Sequence, residues 1–186
     1  MTTGERILEL AERLVQTRGY NGFSYADIAA SLGVTKASLH YHFPAKAALG
    51  RQLIGRYERN FVAALEAIDA KVKSPREKLR RYAGIYADVL ADGRMCLCGM
   101  LAAEYATLPK AMQQELRHFF AENERWLVTV LEEGRRASQL EFAGSAREAA
   151  SLLVSSLEGA MMLARSHGNV KRFRVLAERL IAALAT

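Results

Sequence analysis

Ser24-Tyr25-Ala26-Asp27-Ile28-Ala29-Ala30-Ser31-Leu32-Gly33-Val34-Thr35-Lys36-Ala37-Ser38-Leu39-His40-Tyr41-His42-Phe43 reads as two short helices joined at a glycine. Ser24 followed three residues later by Asp27 is a capping-box arrangement with aspartate in the acidic place, and Phe23 and Ile28 occupy the two positions of a hydrophobic staple. The helix that starts there turns Tyr25, Ile28, Ala29 and Leu32 inward. Gly33 ends it after barely two turns, because glycine enters the left-handed region without penalty. Val34 plugs the angle, and Thr35 caps a second helix from Lys36 to Tyr41 or Phe43. Pro44 cannot continue that ladder, yet it is tolerated near the start of the next helix.

Working outward, Ile7, Leu8, Ala11, Leu14 and Val15 predict a first helix from Gly4 to Thr17, stopped by Gly19-Tyr20-Asn21-Gly22. Beyond Lys46 a long amphipathic helix turns Leu49, Leu53, Tyr57, Phe61, Leu65, Ile68 and Val72 inward. Ser74-Pro75 opens a helix that ends near Leu90 or Ala91, and Asp92-Gly93 separates it from a shorter one over Cys96 to Ala106. Leu108-Pro109 starts another long helix carrying Met112, Leu116, Phe119, Phe120, Leu127, Val130 and Leu131. A loop from Gly134 to Gly144 folds back through Leu140 and Phe142. Helices over Arg147 to Ser166 and from Gly168-Asn169 to about Ala183 complete the chain. No strand alternation or internal repeat competes, so the fold class is all-α. The domain organisation is a three-helix head over 1–48 and a helical body over 49–186.

Composition agrees. Among 186 residues, 51% are hydrophobic and 25% charged, which excludes a disordered or collagen-like polymer, and three prolines leave helices uninterrupted. The net charge of +6 permits an anionic partner without demanding one. Met1-Thr2-Thr3-Gly4-Glu5-Arg6 lacks the basic start and apolar run of a secretory signal. No stretch approaches 18 uncharged apolar residues, and Cys96 and Cys98 are too close and too few for a disulfide scaffold. A reducing cytoplasmic setting without membrane insertion is the expectation.

The paired helices point to a task. Thr35-Lys36-Ala37-Ser38 puts small polar and cationic groups on the exposed first turns of the second helix, the end that enters a DNA major groove. Lys36 reaches phosphate or guanine, and Ser38 donates to a base or phosphate. His40 and Tyr41 lie a turn further on, and Lys46 meets the backbone on the far side. The competing reading is that a glycine turn is common among helical proteins and that His40, Tyr41, His42 and Phe43 only pack.

Residues 7 to 50 resemble the N-terminal helix-turn-helix domain of the TetR family of bacterial transcriptional regulators. The matching run is Gly19-Tyr20-Asn21-Gly22-Phe23-Ser24-Tyr25-Ala26-Asp27-Ile28-Ala29, then Leu32-Gly33-Val34-Thr35-Lys36-Ala37-Ser38-Leu39-His40-Tyr41-His42-Phe43-Pro44-Ala45-Lys46. The resemblance implies a homodimer that reads a double-stranded operator of approximate two-fold symmetry, and helices behind the heads that dimerise and enclose a small-molecule effector. It assigns base or backbone contacts to Thr35, Lys36, Ser38, His40 and Tyr41, and a phosphate contact to Lys46. His40 stands where the family more often has tyrosine, and Tyr41 is placed to take that contact over.

Gly93-Arg94-Met95-Cys96-Leu97-Cys98-Gly99-Met100-Leu101-Ala102-Ala103-Glu104 resembles a cysteine-leucine segment of the branch related to the nem-operon repressors. Members of that branch include regulators that answer electrophiles or oxidants through cysteine. Near a helix start a thiol pKa falls, which Arg94 reinforces. Against this stands the behaviour of free cysteine as a small buried hydrophobe. A Cys-x-Cys pair without a second ligand cluster is not a zinc signature, so neither metal nor cofactor is expected.

The body carries two further expectations. Tyr86, Cys96, Met100, Phe119 and Met161 are assigned to an effector pocket. Leu153, Leu157, Ala160 and Ala164, with Leu176 in the last helix, are assigned to a dimer seam of four helices from two chains, against the alternative of a purely internal core. The function read from these features is a dimeric repressor released from its operator by an effector, with activation as the smaller variant. One alternative is a thiol-based sensor using Cys96. Another is a small helical thiol enzyme, for which no base is positioned beside Cys96.

Overall fold

A computed structural model describes residues 1–184. The helices are α1 (Thr3–Arg18), α2 (Tyr25–Leu32), α3 (Lys36–His42), α4 (Lys46–Lys71), α5 (Pro75–Ala91), α6 (Leu97–Ala103), α7 (Lys110–Arg136), α8 (Ala146–Ser166) and α9 (Val170–Ala182), with a 3-10 turn at Tyr105–Thr107. The chain forms two compact units, one of Met1–Asn60 with Cys96–Phe119, the other of Phe61–Met95 with the chain from Phe120 onward.

In the first unit, local caps set the boundaries that the sequence predicts. Thr2 and Glu5 form a capping box on α1, as Ser24 and Asp27 do on α2. Ile7, Ala11, Val15, Ile28, Leu39, Leu49, Leu53 and Ile54 are buried beneath them, with the predicted staple pair Phe23 and Ile28 in the same core. The shorter helix expected over Cys96 to Ala106 is divided: α6 stops at Ala103, and the next turn tightens to 3-10 form.

In the second unit α8 packs on α9, and α5 on both. Pro75 occupies the first turn of α5, where its missing N–H costs nothing. α7 runs to Arg136, past the glycine expected to loosen it, and the following loop folds back as predicted, burying Leu140. Lys78, almost fully buried, lies 2.8 Å from Asp69 and 3.1 Å from Glu133. Burial pulls its pKa down, but the hydrogen bonds and charges of the two carboxylates outweigh that and hold it above the ordinary value. Asp69 also accepts from Trp126 Nε1 at 2.8 Å.

Candidate nucleic-acid interface

The turn between α2 and α3 is fixed by backbone chemistry. Gly33 sits at φ 66°, ψ 34°, in the left-handed region, and closes α2 with its N–H on the Ala29 carbonyl. Nothing crowds the space a Cβ would take there, so the dihedral alone demands glycine. Val34 N–H also reaches the Ala29 carbonyl, at 3.1 Å, and Thr35 then accepts the Ser38 N–H at 3.2 Å to start α3. Leu39 and Phe43 anchor α3 in the core.

The opposite side of α3 is open. Thr35, Lys36, His40 and Tyr41 are exposed, Tyr41 at 84%, and Ser38 is half-buried. A seven-residue helix of this kind presents a hydroxyl pair, an ammonium, an imidazole and a phenol around its first two turns. His40 is oriented from below: its Nδ1 lies 3.2 Å from the Pro44 carbonyl and its ring 5.0 Å from that of Tyr25. Tyr25 donates its hydroxyl to the Phe43 carbonyl at 2.8 Å, and burial pushes its pKa up to about 12, so it stays a donor.

Lys46 has a second occupation that its sequence position did not reveal. Its ammonium donates to the Tyr20 carbonyl at 2.6 Å and to the Phe23 carbonyl, and lies over both rings, 4.7 Å and 4.3 Å from their centroids. Desolvation lowers its pKa, opposed by the charges of Glu104 and Asp27. Two of its three donors therefore hold the α1–α2 turn.

The same turn is gripped from the other side by Glu104, a residue that sequence reasoning did not single out. Its carboxylate accepts the Tyr20 N–H at 2.5 Å and the Asn21 N–H at 3.2 Å, while Asn21 Nδ2 donates to Thr107 at 2.8 Å. Gly19, at φ 84°, lies where a Cβ would come within 3.0–3.1 Å of that carboxylate. Glu104 caps the C-terminal end of α6, so the segment with the two cysteines is tied to the α1–α2 turn by charge-assisted bonds.

The expected pocket residues divide between the units. Cys96, Met100 and Phe119 belong to the first, where the Tyr57 hydroxyl lies 3.7 Å from Cys96 Sγ and the Tyr57 ring 5.7 Å from that of Phe119. Cys96 caps α6 and accepts the Gly99 N–H at 3.4 Å; both it and Cys98 are buried. Tyr86 and Met161, also buried, belong to the second unit. Of the expected dimer residues, Leu153, Leu157, Ala160 and Ala164 lie in that unit's own core, and Leu176 opens outward. The apolar side chains left uncovered on these helices are Leu152, Met162, Leu163, Val175 and Leu176.

Residues 7–53 match the family model described as bacterial regulatory proteins, tetR family, and residues 75–180 match that of the tetracyclin repressor-like C-terminal domain. The chain belongs to the TetR family. A TetR-family transcriptional regulator from Agrobacterium tumefaciens is similar over 98% of this chain and 97% of its own, at 34% identity and a TM-score of 0.95. A TetR transcriptional regulator from Legionella pneumophila is 32% identical, with 99% and 98% coverage and a TM-score of 0.90. The reduced form of NemR from E. coli shares the fold, at 23% identity, 100% and 98% coverage and a TM-score of 0.80. No curated protein matches the sequence.

TetR-family members are DNA-binding transcriptional regulators with a helical ligand-binding body, and the family is not one of enzymes. Its regulators bind operator DNA as dimers and respond to small molecules. Among the described residues, no group of His, Cys, Asp and Glu is disposed to hold a metal, and no helix is long and apolar enough to cross a membrane.

Proposed function

We propose that this chain is a cytoplasmic dimeric repressor that reads a two-fold symmetric operator through α3 and leaves it when a small effector binds the helical body. Residues 1–48 do the reading; residues 49–186 bind the effector and dimerise. The observation that carries the reading is the exposed polar face of α3, held over a buried Leu39–Phe43 anchor by the Gly33 turn and the Thr35 cap. Thr35, Lys36, Ser38, His40 and Tyr41 contact bases or backbone. Lys46 meets a phosphate only with the donor its turn carbonyls leave over.

Dimerisation is assigned to the outer side of α8 and α9. Leu163 and Leu176 flank a groove of about 520 Å³ whose floor includes Gly159 and Ala160, a shape that admits the side chains of a second copy. The Glu104 grip on the α1–α2 turn gives α6 a direct hold on the head, which supports an effector acting by displacing α6. Release requires that the effector prefer the non-reading state, since equal affinity for both shifts nothing. The burial of both thiols favours reversible ligand binding over cysteine chemistry.

The test is selection of duplex DNA from a random pool at fixed salt, followed by fluorescence anisotropy with the selected site and a scrambled one. The repressor reading expects at least a thousand-fold preference. Equal binding of both duplexes rejects it.

A further inference from the structure

We infer that His40 determines part of the operator's sequence by acting as a hydrogen-bond acceptor, selecting an amino base (adenine or cytosine) over a keto base (guanine or thymine) at one position of each half-site. This deepens, and rests on, the reading of α3 as the operator-contacting helix.

A neutral imidazole carries one ring hydrogen, and the bond made by one nitrogen decides what the other can do. His40 Nδ1 lies 3.2 Å from the Pro44 carbonyl oxygen. A carbonyl only accepts, so the hydrogen sits on Nδ1 and leaves Nε2 as a bare lone pair. The restraint is firm. Pro44 follows Phe43, which is buried and ties its N–H to the Leu39 carbonyl at 2.7 Å. The Tyr25 hydroxyl donates to the Phe43 carbonyl at 2.8 Å, and the Tyr25 ring lies 5.0 Å from the imidazole, tilted by 56°. Two consecutive carbonyls, those of Phe43 and Pro44, thus hold a tyrosine and a histidine against each other and set the plane of the outer ring. His40 is nonetheless exposed, and among the described residues Nε2 has no hydrogen-bond partner.

An acceptor held in this way selects its partners. In the major groove adenine N6 and cytosine N4 are amino donors, whereas guanine O6 and thymine O4, which stand in their place, are acceptors. Phosphate oxygens are acceptors too, so the uncharged ring gains nothing from the DNA backbone. The other polar groups of the face do not share this limit: Lys36 only donates, and the hydroxyls of Thr35, Ser38 and Tyr41 donate or accept. His40 is therefore the contact on this face that rejects a keto base.

The test selects operators from random duplexes for wild type and for His40→Lys in mildly alkaline buffer, then measures single-position variants of the selected site by fluorescence anisotropy. Wild type is expected to bind amino bases about ten-fold or more tighter than keto bases at one position per half-site. Lysine, which only donates, is expected to move the preference at that position to guanine. Exchanging the selected adenine for purine, or the selected cytosine for 2-pyrimidinone, deletes the amino group alone; this should weaken wild type about three-fold or more and leave His40→Ala unmoved. The 15N shifts of the ring in the free protein should show the hydrogen on Nδ1. A ring hydrogen on Nε2, a selected site with no amino-base position that His40→Lys changes, or tighter binding of His40→Lys to every sequence with unchanged base preference overturns the inference. With any of those results, a wild type that still prefers the selected duplex over a scrambled one leaves the repressor reading standing, whereas loss of that preference removes both.

Discussion

The outer face of α3 and the outer face of α8 and α9 are both left uncovered by the chain, and they are made of opposite materials. On α3 the exposed groups are Thr35, Lys36, His40 and Tyr41; on α8 and α9 they are Leu152, Met162, Leu163, Val175 and Leu176. The first face costs little to expose, since every group on it but the Tyr41 ring is well hydrated. The second carries a standing hydrophobic cost that another apolar surface relieves. Exposure thus has two meanings in one molecule: a polar face awaits a partner that comes and goes, and an apolar face one that stays.

The largest expected effect comes from charging the apolar face. Leu163→Glu should raise the dimer dissociation constant by about 100-fold or more, as a carboxylate is desolvated in an apolar seam. Sedimentation velocity reads this out, and unchanged circular dichroism would show that the fold survives. Leu157→Glu is the contrasting variant: its site is 1% exposed within the chain's own core, so it should unfold its unit rather than merely separate two copies. If the two variants behave alike, the division of α8 into inner and outer sides is wrong.

A smaller effect tests what supports the polar face. Glu104→Ala removes the acceptor of two backbone N–H groups and should cost about 1.5–3 kcal/mol, seen as faster hydrogen exchange at Tyr20 and Asn21. Thr35→Ala should cost about 1 kcal/mol through the lost cap of α3.

Next in size is the separation of two lysines. Lys36→Ala should lower the slope of log affinity against log salt by about 0.9 without altering thermal stability. Lys46→Ala should lower stability as well, because its ammonium holds two carbonyls and two rings. Titration over salt concentration and a melting curve distinguish them.

The smallest effect is electrostatic and local. Hydrogen bonds from the Ser24 side chain and backbone hold the Asp27 carboxyl below its ordinary pKa. A folded pKa below the unfolded one gives stability that is complete above the unfolded value, about 3.9, and is lost as pH falls through the folded one. Asp27→Asn should therefore lower stability slightly at neutral pH, leave the acid end little changed and so flatten the acid limb, as followed by urea unfolding across pH.

These outcomes bear on how much could be read from the chain. The α2–Gly33–α3 unit was legible because each determinant acts within four residues: Ser24 on Asp27, Gly33 on Ala29, Thr35 on Ser38. The grip of Glu104 was not, since its partners lie 83 and 84 residues away and a lone glutamate at a helix end carries no signal. Lys46 was placed correctly in sequence, but its engagement depends on a turn 23 to 26 residues earlier. On α8 the period was clear, yet Leu152, Leu153, Met161, Met162 and Leu163 put apolar groups on both sides of the helix, and periodicity alone cannot decide which side the chain covers itself. The hydrogen-bonded chain of Asn123, Tyr86 and Tyr82 joins two helices whose pairing only the fold supplies.

The hold of Glu104 on the Gly19–Asn21 turn also sets a mechanical property, its backlash. A linkage made of long flexible side chains absorbs a small displacement as rotamer changes and passes on nothing. Here one end is main chain: two consecutive peptide N–H groups, with Gly19 leaving no Cβ between carboxylate and backbone. A backbone N–H···O bond keeps its donor and acceptor within about 2.7–3.2 Å and loses strength steeply as it bends, so the joint has little slack. A shift of the end of α6 by about one ångström must drag the turn with it or let go, which makes the transmission stepwise rather than graded.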